Sequence, residues 1–106
     1  MGHQIDWSPE AIEDTEEIAA YIRRDSPLYA SQVVEEIIAA SRRLRQFPLR
    51  GRNVPELKST HRECFVYSYR LIYRVQDQRV LIVAVIHGKR LLESVERFKP
   101  GPDMPT

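Results

Sequence analysis

The chain is poor in cysteine, histidine and long apolar runs, and each shortage removes a class of function. Cys64 is the only cysteine in 106 residues, so an internal disulfide framework is excluded and a lone thiol fits a reducing compartment. A catalytic thiol needs a depressed pKa and an adjacent base. His61 is near in sequence, but alternation along a strand puts it on the face opposite Cys64, which favours a small packed strand residue. His3, His61 and His87 have no ligand spacing among themselves or with Cys64, so no metal is expected. The longest apolar run, Val80–Ile86, is far short of the roughly 18 residues that span a bilayer, and Met1-Gly-His-Gln4 does not lead into a signal-peptide core. A cytoplasmic protein without a membrane partner is expected. The glycine-rich phosphate loops G-x-x-x-x-G-K-[ST] and G-x-G-x-x-G and the nucleophile elbow G-x-S-x-G are all missing, so no cofactor is expected either.

What is present is the balance of a globular domain, 42% hydrophobic and 29% charged. The length suits one domain over 1–106, ordered from about 4 to 98, with a proline-rich, mobile tail over 99–106. The net charge of +1 conceals a segregation. Residues 1–41 carry two basic against nine acidic side chains, a net −7. Residues 42–90 carry twelve basic against Glu56, Glu63 and Asp77, a net +9, and the remainder carries −1. Such asymmetry implies a face for an anionic partner, nucleic acid or an acidic protein segment.

The organisation is legible from local signals. Gln4–Trp7 alternates as a short strand and meets Ser8-Pro9, an N-cap followed by a proline whose missing N–H is harmless at the first helical position. Ala11, Thr15, Ile18 and Ile22 then recur at helical spacing, with Ile12 and Ala19 beside them and glutamates opposite. Ser26-Pro27 repeats the start signal, and Ala30, Val33, Val34, Ile37, Ile38, Ser41 and Leu44 form a second stripe. The spacing predicts helices over 9–24 and 27–46, joined as an antiparallel hairpin. A basic loop, Leu49–Pro55, leads to a region of period two. Phe65, Tyr67, Tyr69, Leu71, Tyr73 and Val75 share one parity, with a bend at Ser68. Gln76–Arg79 reads as a hairpin turn, and Val80–Ile86 as a central strand covered on both faces. Leu91, Leu92, Val95 and Phe98 in a short C-terminal amphipathic helix supply the second cover. The expected fold class is α+β: an N-terminal strand, then a helical hairpin packed on an antiparallel sheet, then a short helix.

The polar chemistry gathers in the sheet half. Arg70 and Arg74 share one strand face, away from Tyr69 and Tyr73, and offer guanidinium forks to an anion. The alternative for Arg70 is an edge ion pair to Glu63. His87-Gly-Lys-Arg90 follows the buried strand at a sheet end, where an imidazole and two cations converge. The alternative for His87 is a strand-end histidine bonded to backbone.

Three phrases in this order, Phe47-Pro-Leu-Arg-Gly-Arg-Asn-Val-Pro-Glu56, Tyr69-Arg-Leu-Ile-Tyr-Arg-Val75 and Val85-Ile-His-Gly-Lys-Arg90, resemble the RelE/ParE superfamily of toxins from bacterial type II toxin-antitoxin modules. The resemblance runs from about Ile5 to Phe98. It implies a small toxin neutralised by a cognate antitoxin protein, with one of two targets. RelE-like members enter the ribosome and cut mRNA without a metal, using arginines at the phosphate and a C-terminal tyrosine as base. ParE-like members poison DNA gyrase. The RelE-like arginines fall on Arg70 and Arg90, but Glu96 stands where that tyrosine belongs and no tyrosine follows Tyr73. His61, Arg62 and Glu63 occupy the stretch of the nuclease lysines. A nuclease would have to recruit His87 for proton transfer beside Arg70 and Arg90. The loop and the His-Gly-Lys-Arg ending look more ParE-like, which points to a plasmid-stabilising gyrase inhibitor. Arg50, Arg52, Arg62, Arg74 and Lys89 are then the basic side chains expected to meet the target.

Overall fold

The computed structural model describes residues 2–58 and 60–99. The expected mobile tail lies, from 100 to 106, outside the described residues. The chain runs β1 (Gln4–Trp7), α1 (Pro9–Arg23), α2 (Pro27–Arg43), β2 (Arg52–Asn53), β3 (Arg62–Val66), β4 (Tyr69–Gln76) and β5 (Arg79–His87). Both helices start as the Ser-Pro pairs dictate. The Ser8 hydroxyl accepts from the Ala11 amide and the Ser26 hydroxyl from the Tyr29 amide, each at 3.1 Å. The helices end earlier than their apolar spacing predicts, at Arg23 and Arg43, and Leu44 follows as the C-terminal cap residue of α2.

The two stripes face each other and the sheet. Ala11, Ile22, Val33, Ile37 and Leu44 pack with Leu71, Tyr73, Val80 and Ile82 in one core. Ile38, expected on the second stripe, and Ile12, expected beside the first, are instead among the exposed apolar side chains. Five strands form one sheet in the order β1-β5-β4-β3-β2. Here the expectation of an antiparallel sheet needs correction, because β1 lies parallel to β5, with Ile5 opposite Val80 and Trp7 opposite Ile82. A parallel pair needs a crossover, and everything from α1 to β4 serves as one.

The outer face of the sheet has its own smaller core of Val54, Ile72, Ala84, Ile86, Leu92 and Val95. The short C-terminal helix expected as its cover takes the form of two single 3-10 turns, Leu92–Ser94 and Glu96–Phe98. Leu92, Val95 and Phe98 recur every three residues, the repeat that places side chains in register on a 3-10 path. β5 faces both cores by alternation, and one extra residue switches the parity part-way: Tyr73 pairs with Ile82 and Ile72 with Ala84, leaving Val83 as a bulge. Val80, Ile82 and Val85 therefore reach the helices, while Ala84 and Ile86 reach the outer core.

β1 stops at Trp7, so β5 is open on that side beyond Ile82. Asp14, on the buried side of α1, closes the gap. Its carboxylate accepts from the Val85 amide at 3.0 Å and receives both terminal nitrogens of Arg97 at 2.7 and 2.9 Å. Arg97 also donates to the Val83 carbonyl at 3.0 Å. One bidentate pair thus caps an edge that would otherwise invite strand addition, and it ties the C-terminal turns to α1.

Candidate functional site

The expected site residues lie on the outer face of the sheet, in the loop before it and at the end of β5. On the outer face, β2, β3, β4 and the turn Pro55–Leu57 bring one charged side chain each into an alternating row. The Arg52 Nε donates to one oxygen of Glu63 and the Arg70 Nε to the other, both at 2.7 Å. The two terminal nitrogens of Arg70 then grip Glu56 at 3.0 and 3.1 Å. Glu63 is 1% exposed and Arg70 5%. The forks expected to face an anion at Arg70 are therefore filled from within, and the Glu63 ion pair is the alternative the structure supports. The physical reason is burial: a guanidinium under the turn Pro55–Leu57 needs counter-charges in place of water. Burial opposes the charge of Arg70, yet the hydrogen bonds it donates to Glu56 and Glu63 outweigh it and raise its pKa.

Glu56 is one of the two solvent-facing ends of this row, and its hydrogen bonds from Arg70 hold its carboxyl below the ordinary 4.5. A depressed carboxylate stabilises the fold above its unfolded pKa, and that contribution disappears as pH falls through the folded value. The thermal midpoint is accordingly expected to fall on acidification below about pH 4.5, and less so in Glu56→Gln, as melting curves across pH 3–6 will show.

The other arginines have separate tasks. Arg62 donates to the Gly51 carbonyl at 2.7 Å and the Leu49 carbonyl at 3.3 Å, so it clamps the loop before β2. The same loop is held by Tyr73, whose hydroxyl accepts from the Gly51 amide at 2.9 Å and donates to the Pro48 carbonyl at 2.8 Å. Burial pushes the Tyr73 phenol up to about 12. Glycine is required at 51, because a Cβ there would meet the Glu63 carbonyl oxygen at 2.6 Å. Arg50 stays exposed beside Phe47, Pro48 and Leu49, and Arg52 lies 5.3 Å over the exposed Phe65 ring. Arg74 shares the face of Arg70, as expected, but its Nε is buried without a hydrogen-bond partner among the described residues. It lies close enough to His61 that burial first, and the Arg74 charge second, lower the imidazole pKa.

At the end of β5, His87 takes the backbone-bonded form, its Nδ1 accepting from the Lys89 amide at 3.1 Å. Its ring stands edge-on to Tyr69, with centroids 5.7 Å apart, and it shares a groove with Arg90 and Tyr21. Lys89 and Arg90 are exposed. The structure thus gathers His87 with Arg90 and Arg52 with Arg70, and it scatters Arg50, Arg62 and Arg74. Cys64 is half-buried with its thiol pushed up by burial, the opposite of activation. Among the described residues, no three His, Cys, Asp or Glu side chains stand together as metal ligands. No helix among them is long and apolar enough to cross a membrane.

Sequence reasoning missed Asp14, Glu56 and the aromatic group around Tyr67. A signal for Asp14 existed: it lies three residues after Ala11 and four before Ile18, on the buried stripe.

The family described as the ParE toxin of the type II toxin-antitoxin system parDE matches residues 5–92. The chain belongs to the ParE toxin family. Solved structures agree on the fold of this ParE-family toxin. The chromosomal ParDE system from P. aeruginosa superposes with a TM-score of 0.68 at 19% identity, over 80% of this chain and 95% of that one. The RelBE2 toxin-antitoxin complex from Mycobacterium tuberculosis gives 0.59 at 24%, over 82% and 92%. The YoeB dimer from Staphylococcus aureus gives 0.59 at 19%, over 82% and 98%. None of the curated protein sequences matches the chain.

Proposed function

We propose that this ParE-family toxin acts in the cytoplasm by inhibiting DNA gyrase and is neutralised by a cognate antitoxin protein. The observation that carries the reading is the filled fork of Arg70. A metal-free nuclease must hold the scissile phosphate and move two protons. In this chain the strand arginine that would hold phosphate is committed to Glu56 and Glu63. Glu96, where the nuclease tyrosine belongs, is 91% exposed and paired with Lys99 at 3.2 Å. Neither feature impedes a toxin that works by binding. Membership of the ParE family and the likeness to a solved ParDE system support the same choice. On this reading Arg50, Arg52, Arg62, Arg74 and Lys89 provide positive potential toward the target, while the basic half of the chain attracts an acidic antitoxin segment.

The second reading, a RelE-like ribosome-dependent mRNA endonuclease, draws on one observation, the groove shared by His87 and Arg90. There His87 and Arg90 would be catalytic, with Arg70 freed from Glu56. Two assays decide. Purified protein is expected to inhibit supercoiling by purified gyrase, and primer extension after induction is expected to show no new mRNA ends. Robust ribosomal A-site cleavage, abolished in Arg90→Ala, would overturn the gyrase reading.

A further inference from the structure

Between Glu36 and Glu56 the chain carries five arginines, Arg42, Arg43, Arg45, Arg50 and Arg52, and no acidic residue. All five are exposed. The end of α2 accounts for only part of this, since a helix C-terminus carries about half a negative charge, which Arg42 and Arg43 in its last turn already answer. Arg43 also meets Glu36 at 3.2 Å in a half-exposed pair of little strength, and Arg52 gives its Nε to Glu63. Arg42, Arg45 and Arg50 have no ion-pair partner among the described residues, and they line one hollow with Gln46 and Phe47 whose described lining contains no carboxylate.

In the middle of this field stands Phe47-Pro48-Leu49. Phe47 is 60% exposed and Leu49 63%. The loop that carries them is nevertheless fixed. The Phe47 amide donates to the Arg43 carbonyl, and the Arg50 amide to the Phe47 carbonyl. The Tyr73 hydroxyl holds the Gly51 amide and the Pro48 carbonyl, while Arg62 donates to the carbonyls of Leu49 and Gly51. With these backbone groups turned inward, the loop shows a partner two large apolar side chains and the arginines around them. The hollow between those side chains is walled by Phe47, Pro48, Leu49 and Arg50 alone, and no other element contributes a second wall.

We propose that this loop is a wedge for duplex DNA: Phe47 and Leu49 enter between base pairs from the minor groove, while Arg42, Arg45 and Arg50 hold the flanking phosphates. The proposal goes beyond the gyrase reading by giving the toxin a contact of its own with DNA, the polymer on which gyrase works. Apolar wedges of Phe, Leu or Pro flanked by cations are how proteins unstack and kink a duplex. A loop already fixed loses little freedom when it inserts. A peptide fits less well, because its two usual receptors are missing. An added strand needs a row of free backbone groups, which this loop has engaged from within. An amphipathic helix needs an apolar groove, whereas here the apolar atoms project from a face without a second wall. A second copy meeting this face about a two-fold axis would set arginine against arginine.

The test uses a short duplex labelled at both ends, read by fluorescence anisotropy and end-to-end energy transfer, with single-stranded RNA of the same length and polyglutamate as the competing anions. The variants are Phe47→Ala/Leu49→Ala and Arg45→Gln/Arg50→Gln, all at exposed positions, so both are expected to melt with the parent. The parent is expected to bind the duplex more tightly than either competitor and to shorten its end-to-end distance. The wedge variant is expected to keep the parent's salt dependence, lose the bend and bind about tenfold more weakly. The arginine variant is expected to make the slope of log affinity against log salt shallower by about two. A duplex bound without a bend, or no more tightly than the RNA, would overturn the wedge. Polyglutamate bound more tightly than the duplex would overturn it too and assign the face to an acidic protein segment. Supercoiling by purified gyrase is measured alongside. A parent that inhibits gyrase without binding the duplex would overturn this inference and leave the gyrase reading intact; one that bends the duplex but spares gyrase would do the reverse.

Discussion

Leu44→Ala is expected to destabilise the protein by about 2–5 kcal/mol, the range for removing a buried leucine whose surroundings collapse incompletely. Leu44 is 0% exposed, although it sits just beyond the last residue of α2. Its amide bonds the Ser41 carbonyl at 3.1 Å, so the chain turns in place and drives the side chain into the core between helices and sheet. The helix itself loses little, since the substitution falls outside it; the loss comes from the cavity. Leu49→Ala provides the contrast, because Leu49 is 63% exposed and its truncation is expected to fall within about 0.5 kcal/mol of the parent. Denaturant titration separates the two. Equal midpoints for both variants would show that the core yields around position 44.

That burial was readable because Leu44 continues a spacing begun at Ala30, and the same holds for most of the helical layer. Ser8-Pro9 and Ser26-Pro27 announce their helices through groups within three residues, periodicity of two announces β3 and β4, and an unbroken apolar run announces β5. What escaped the sequence joins residues far apart without periodicity. Asp14 meets Arg97 across 83 positions, and Arg70 meets Glu56 across 14. Nothing local marks either as a pair. The parallel placement of β1 escaped for the same reason, since its register with β5 depends on all that lies between them. The bulge at Val83 was hidden inside an unbroken apolar run, where a change of facing leaves no trace in hydropathy. Of the site, the arginines were visible, and so was a Glu63 pair as the alternative for Arg70, but the second grip on Arg70 by Glu56 was not. Whether a guanidinium faces solvent or a carboxylate is decided by what the loop above it brings down.

Glu63→Ala tests that engagement, and it is expected to cost about 3–5 kcal/mol, the consequence of leaving a buried charge without its partner. Glu63 has a fully buried side chain, and both its oxygens are occupied, by Arg70 and by Arg52. Arg70, 5% exposed, would retain only Glu56, on a turn at the surface. The pairing is nevertheless not a net source of stability, because two ions must be stripped of water to form it. Glu63→Leu combined with Arg70→Met is therefore expected to recover most of the loss, since Arg52 and Glu56 are exposed enough to return to water. Measured denaturant midpoints for the single and double variants check this directly, and a single variant costing less than about 1 kcal/mol would mean that water already reaches the pair. The double variant also bears on the target. A binding toxin does no chemistry at Arg70, so the refolded double variant is expected to inhibit supercoiling by gyrase at close to the parent's concentration. Loss of inhibition in a variant that melts like the parent would return Arg70 from the architecture of the sheet to the toxin's working surface.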